Sequence, residues 1–388
     1  MKGMNKREEG IRQEKKTPPF ERTQIKSAPN FKDRRPIKGA IKKGEPMNYL
    51  GVDCHKRKSF LTAMDSGGSV IGRWSIRNDG KELDRIFDKI GHDFEAVLEA
   101  SSTWPVMYDL LDERVKKVLL AHPLKVKAIA EAKIKNDKID SGVLAHLLRA
   151  DLIPEAYAPS KETRYKKCYL RYRSSLVQLQ TSVKNRIHAI LMRNHVSVEE
   201  QDAISDLFGT KGREYLASVQ LGGSDNEMLT GYLDLLDFLA DKIKLADKRI
   251  KEIIKEDELI RLLLTMPGIG PVFAPLIRYE VDRIERFRNC GKFLCYCALV
   301  PGLFSSADIS RTTGIIKQGN KYLKWAFIEA VSPATRTSVS LRAFYGRIYN
   351  KHGHHAARVA TARKLAKIAY HIMKDRKPFK EELIKEQN

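Results

Sequence analysis

The sequence predicts an α/β domain at the front of the chain, an all-α stretch in the middle and a second, mostly helical unit at the end. Between residues 47 and 158, short apolar runs alternate with amphipathic helical periods. Between 159 and 258, leucines and isoleucines recur at steps of three and four, with basic residues on the other faces. From 259 to 388, a Pro-Gly turn at Pro267 and Gly268 interrupts further helical patterns. A chain of 388 residues fits two or three domains rather than one core.

Residues 1–46 hold 14 Lys/Arg against 6 acids, five prolines and no apolar periodicity. That is the composition of a disordered basic tail, dispensable for catalysis, and Met47 offers a second translation start. The α/β domain then reads as strands Tyr49–Asp53, Ser59–Asp65 and Ser69–Ile76, the last two joined by a Ser66-Gly67-Gly68 hairpin turn. A helix follows with Leu83, Ile86, Phe87 and Ile90 on one face. Next come strand Phe94–Glu99, helix Trp104–Val115, strand Val118–Ala121 and a helix carrying Asp137 and Asp140. Three antiparallel strands followed by alternating helix and strand is the order of the ribonuclease H/RuvC-like fold. In the middle region, Leu176, Leu179, Val183, Ile187 and Ile190 form one stripe and Leu229, Leu233, Leu236, Ile243, Ile250 and Ile253 another. Two such helices predict an antiparallel coiled-coil arm, a common dimerisation device. The plainer alternative is two helices of an ordinary bundle. The segment from Leu263 to Pro271 has the look of a helix-hairpin-helix turn, in which Gly268 and Gly270 would let backbone amides approach a phosphate.

Lys and Arg number 71 against 48 acids, a net charge of +23, so a polyanion is the expected partner and nucleic acid leads. Basic residues of the predicted arm (Arg171, Arg173, Lys184, Arg186) would hold its backbone. Five cysteines, an odd number in a large chain, argue against a disulfide framework and fit a reducing cytoplasm. Cys290, Cys295 and Cys297 lack histidines at zinc spacing and read as buried small residues. No apolar run approaches the ~18 residues of a membrane span, so no membrane role and a cytoplasmic, nucleoid-associated location are expected.

The chemistry is carried by four acids: Asp53, Glu99, Asp137 and Asp140. Asp53 and Glu99 each close an apolar strand, where a carboxylate is a poor choice unless something binds it. Asp137 and Asp140 stand three apart at a helix start and project from one face. Four acids brought together repel unless a cation sits among them. A hard divalent ion such as Mg²⁺ takes oxygen ligands and suits phosphoryl transfer. The plainer readings are exposed loop acids for the first two and surface pairing with Lys133, Lys135 and Lys138 for the second two.

Seven segments in order resemble the insertion-sequence transposases with a DEDD catalytic set, the group numbered one-ten that also includes the Piv site-specific invertases. They are Tyr49-Leu50-Gly51-Val52-Asp53-Cys54-His55-Lys56, Val97-Leu98-Glu99, Lys135-Asn136-Asp137-Lys138-Ile139-Asp140-Ser141 and Met266-Pro267-Gly268-Ile269-Gly270. Leu299-Val300-Pro301 with Ser305-Ser306, Lys317-Gln318-Gly319-Asn320 and Ala362-Arg363-Lys364-Leu365 complete the series. The resemblance implies a metal-binding role for the four acids and a catalytic serine at Ser306, with Ser305 its neighbour. It also implies a guide RNA from the element itself, and homo-oligomers whose active sites combine the acids of one protomer with the serine of another. The chain departs from the pattern at Asn136 (usually Thr), Ser141 (usually Ala) and Ala307 (usually Gly). Read from residues alone, Ser306 is a loop serine with no histidine near it in sequence. His352, His354 and His355 read as a solvated basic loop.

The expected function is therefore a Mg²⁺-dependent transposase or recombinase acting on DNA with a serine nucleophile. Two alternatives belong to other classes: a metal-only, junction-resolvase-like nuclease with a structural serine, and a silent nucleic-acid-binding scaffold.

Overall fold

The computed structural model describes residues 47–130, 137–196, 204–306, 309–316 and 318–381. The expected basic tail, Lys317, Asn136 and Ala307 lie outside the described residues. Two compact units divide the chain, one ending at Glu155 and the other beginning at Ala156.

The first unit is built on a sheet whose strands are β1 (Asn48–Cys54), β2 (Lys58–Met64), β3 (Val70–Arg77), β4 (Phe94–Glu99), β5 (Lys117–Ala121) and a two-residue β6 (Glu155–Ala156). The spatial order is β3-β2-β1-β4-β5-β6. β1 pairs antiparallel with β2 and parallel with β4, and β4 pairs parallel with β5. The three antiparallel strands followed by alternating helix and strand that the sequence predicts are present along the chain. Helices α1 (Gly80–Ile90), α2 (Trp104–Asp112), α3 (Pro123–Ile129) and α4 (Asp137–Arg149) fill the connections. α1 begins where the Asp79 carboxylate accepts from the Lys81 amide, an N-cap that satisfies an otherwise orphan donor.

Helix α4 lies directly on β1, and the contact depends on Gly51. A Cβ there would sit 2.0 Å from the Ser141 carbonyl oxygen and 2.5 Å from the Ala145 amide nitrogen. Only a residue without a side chain lets helix and strand backbones come this close. Beside it, the buried hydroxyls of Thr62 on β2 and Ser141 on α4 meet at 2.9 Å, and Ser141 donates to the Lys138 carbonyl. Ser141, unusual at this place in the resembling family, thus has a partner of its own. Leu144, Leu147 and Leu148 of α4 pack with Val97, Ala121 and Val126.

The second unit is largely helical. Helices α5 (Lys161–Arg193) and α7 (Ser224–Glu256) each run 33 residues. Ion pairs join early α5 to late α7 (Arg173 to Asp247) and late α5 to early α7 (Arg193 to Asp225), so the two run antiparallel. Leu176, Val183, Ile187 and Leu191 pack with Leu229, Leu236 and Leu239, together with Leu216 from α6 (Thr210–Ser218). The helical part and the C-terminal part share a core: Leu170, Ile250 and Ile253 pack with Phe293, Phe327 and Ile368.

The rest comprises α8 (Glu258–Leu263), α9 (Phe273–Val281), a 3₁₀ turn at Ile284–Arg286, α10 (Cys290–Tyr296), the hairpin β7 (Pro301–Ser306) and β8 (Ile309–Ile315), α11 (Lys321–Thr337) and α12 (Val339–Asp375). His352, His354 and His355 stand exposed within α12, around a break at Gly353, rather than in a loop. All five cysteines are free; Cys297 is buried, but Cys295, expected inside, is exposed.

Candidate metal centre and nucleic-acid surfaces

The parallel register of β1 and β4 pairs Val52 with Leu98, so Asp53 and Glu99 follow one residue beyond the last paired position on neighbouring strands. Asp137 and Asp140 occupy the first turn of α4, where backbone amides favour negative charge. Because α4 crosses β1 at Gly51, the helix start and the strand end arrive at one place. There the carboxylates of Asp53 and Asp137 and the imidazole of His55 lie within 4.8 Å of one another. His55 Nε2 is 3.3 Å from Asp53 Oδ2 and 3.3 Å from Asp137 Oδ1.

Burial pushes the Asp53 carboxyl above its ordinary range; His55 opposes this, while Asp137 and Asp140 add to it by repulsion. The donor set fits a divalent cation: oxygen ligands from two elements, a half-buried acid whose charge is costly alone, and like charges held together. Glu99, half-buried, is not among the three atoms that cluster. Of the four acids picked from sequence, two converge closely, one shares the first helical turn with Asp137 and one stands on the adjacent strand. His55 was not among the residues singled out from sequence. Its signal was there, two positions after Asp53, but a histidine following a strand is common.

The basic residues of the arm do different work. Arg171 makes a two-pronged pair with the buried Glu280 (2.5 and 2.9 Å) and stacks over Tyr322. Arg173 pairs the same way with Asp247 (2.9 and 3.3 Å). Both guanidinium groups thus hold carboxylates within the unit, which leaves fewer of their donors for a phosphate backbone. Arg186 is exposed, near Tyr232, and Lys184 lies 4.8 Å over the Phe208 ring.

At the turn between α8 and α9, Gly268 takes φ 78° and a Cβ would meet the Ala330 carbonyl oxygen at 2.3 Å. Its glycine is required by packing on α11, whereas nothing lies within 4 Å of the position a Cβ would take at Gly270. Ser306 is the last residue of β7, in register with Ile309. Asn320 caps α11, accepting from the Tyr322 and Leu323 amides and donating to Glu280 at 2.6 Å.

A ribonuclease H-like sheet with acids gathered at a strand end and a helix start defines a DEDD-type enzyme of DNA phosphoryl transfer. The comparisons agree along the chain. A family model described as "Transposase", for the DEDD domain of IS110 elements, matches residues 50–195, and one described as "Transposase IS116/IS110/IS902 family" matches 260–346. The chain belongs to this IS110 family of insertion-element transposases. It is 23% identical over 258 residues to the transposase for insertion sequence element IS1328 of Yersinia enterocolitica, covering 66% of this chain and 76% of the other. It is also 23% identical over 357 residues to the transposase for IS1111A of Coxiella burnetii, covering 88% and 92%. Among the described residues, no helix is long and apolar enough to cross a membrane.

Proposed function

We propose that this transposase cuts and rejoins DNA at a divalent-metal centre built on Asp53, Glu99, Asp137 and Asp140, with Ser306 as the nucleophile. The convergence of Asp53 and Asp137 from two elements carries the reading. A bound Mg²⁺ would polarise the scissile phosphate and offset the charge that develops on its oxygens. Ser306 Oγ would form a bond to phosphorus while the strand's own ester oxygen leaves and takes up a proton, so the ester is exchanged rather than hydrolysed. Release of that phosphoserine by a hydroxyl of the partner strand would complete strand exchange through a branched junction. Lys184, Arg186, Lys317 and the Gly270 turn would hold nucleic acid by its backbone. The family resemblance supports an element-encoded guide RNA. Sequencing RNA that co-purifies with the chain tests that part, and finding only random cellular RNA would defeat it.

The outer face of α7 supports a homo-oligomer. Met228, Leu235, Phe238 and Leu245 are exposed there at heptad spacing, apart from the seam that faces α5. F238E with L245E should reduce the particle mass in light scattering to that of one chain. An unchanged mass would remove this face from the oligomer.

Asp53→Ala should abolish strand transfer on a plasmid carrying the element ends while DNA binding stays within about threefold of wild type. Ser306→Ala should abolish the covalent protein–DNA adduct. Cleavage at the normal rate by the serine variant would favour the metal-only nuclease, and full activity of the Asp53 variant would refute the centre.

A further inference from the structure

We propose that His55 is itself a ligand of the divalent ion, so that the centre has a mixed nitrogen and oxygen donor set and favours Mn²⁺ over Mg²⁺. The inference rests on the metal-centre reading above and adds to it a residue outside the four acids. Its basis is a triangle of atoms. One imidazole nitrogen stands 3.3 Å from a carboxylate oxygen on β1 and 3.3 Å from another on α4. A charge-assisted N–H···O bond runs to about 2.7–2.9 Å, so a bond from the ring to either acid at 3.3 Å is a long one. Ligands at about 2.1–2.2 Å from one ion and at right angles are about 3.0–3.1 Å apart. The spacing suits neighbours around a shared cation better than an imidazolium bonded to either acid.

The backbone holds His55 in this position. Its amide donates to the Lys58 carbonyl at 3.1 Å, closing the turn between β1 and β2. Its carbonyl accepts from Asn78 Nδ2 at 2.7 Å, and Asn78 Oδ1 accepts from the hydroxyl of the fully buried Ser59 at 2.7 Å. The turn is therefore tied to the core on both sides. The ring itself is half exposed, with 51% of the side chain open to solvent. Packing does not force it toward the acids, but a common ligand would. Such support of a ligand by residues behind it is what holds a metal site in geometry.

The chemical consequence is selectivity. Mg²⁺ prefers oxygen ligands and keeps its waters. Imidazole suits first-row transition ions better than Mg²⁺; Mn²⁺ is the most oxygen-seeking of them, so even a modest preference for it over Mg²⁺ reports nitrogen in the donor set.

Mn²⁺ binding to the full chain, followed by electron paramagnetic resonance, tests the proposal without reference to activity. Wild type should show a ¹⁴N hyperfine coupling to bound Mn²⁺ and bind Mn²⁺ at least about tenfold more tightly than Mg²⁺ in competition. His55→Ala and His55→Asn should lose the coupling and about tenfold in Mn²⁺ affinity, with Mg²⁺ affinity changed less than about threefold. Asn78→Ala should weaken Mn²⁺ binding several-fold and keep the coupling. Mn²⁺ bound by wild type without nitrogen coupling, or with a coupling that survives in both His55 variants, overturns the ligand role and leaves the acids standing. Wild type that binds no Mn²⁺, or Asp53→Ala that binds it equally well, overturns the centre and the ligand role together.

Discussion

Glu280 on α9 has no solvent exposure at its side chain, yet it is surrounded by positive charge. Burial alone would raise its carboxyl above the ordinary value of 4.5. The bonds from Arg171, Lys167 and Asn320 outweigh that and hold it below. A group depressed in the folded state adds stability above its unfolded value, and that stability is lost as pH falls through the folded value. Acid unfolding followed by urea midpoints should therefore steepen below about pH 4.5. Glu280→Gln should remove about one proton from that slope and cost about 3 kcal/mol at neutral pH, because Arg171 and Lys167 lose their counter-charge. An unchanged slope would mean the pair is not what sustains this core. The same residue shows which partner of Arg171 is not legible in sequence. A lysine- or arginine-rich helix face looks like a phosphate grip until the acids that meet it, more than a hundred positions later, are known. Asn320 is the converse case: an asparagine at the start of a helical pattern is legible as a cap, but its second bond to Glu280 is not.

At the level of elements, the α/β domain was legible nearly strand by strand. Short apolar runs such as Phe94–Glu99 and the turn at Gly67 and Gly68 leave little choice, and the order of strands and helices narrows the sheet. Sequence could not supply the closeness of α4 to β1. It depends on a missing side chain at Gly51, and a lone glycine in a strand signals only that something comes near. Gly51→Ala should force α4 off the strand and carry Asp137 away from Asp53. We expect a loss of about 3 kcal/mol in unfolding free energy, the upper end of overpacking costs, and a loss of divalent-ion binding of at least about tenfold. Isothermal titration with Mn²⁺ alongside thermal melts separates the two. A variant that is destabilised but binds the ion normally would show that the crossing serves stability and not the acids. His55 escaped sequence reading for the same reason: its meaning lies in a helix eighty residues downstream. The arm shows the limit of periodicity in another way. The stripes predict its two long helices, but not that their inner ends, at Leu170, Ile250 and Ile253, join the C-terminal core instead of standing apart from it.

For the whole molecule, the net charge of +23 is distributed unevenly, and the first 46 residues alone contribute 14 basic against 6 acidic side chains, or +8. Charge of this kind acts through released counterions, so its signature is the dependence of binding on salt, not on sequence. Internal pairing matters to the accounting: Arg171, Arg173, Arg193 and Arg278 each face a carboxylate within their own unit and offer less to a phosphate backbone than their number implies. The basic segment at the front is thereby expected to carry a disproportionate share of non-specific DNA affinity. Deleting residues 1–46 should make the dependence of log K on log salt shallower by several units, about 0.9 for each phosphate no longer neutralised. Strand transfer at saturating DNA should stay within about twofold, because the acids and Ser306 are untouched. Fluorescence anisotropy on a random duplex between low and physiological salt reads the first quantity, and a single-turnover assay reads the second. If the slope is unchanged, affinity resides in the two folded units, and Lys184, Arg186 and the Gly270 turn become the residues to alter next.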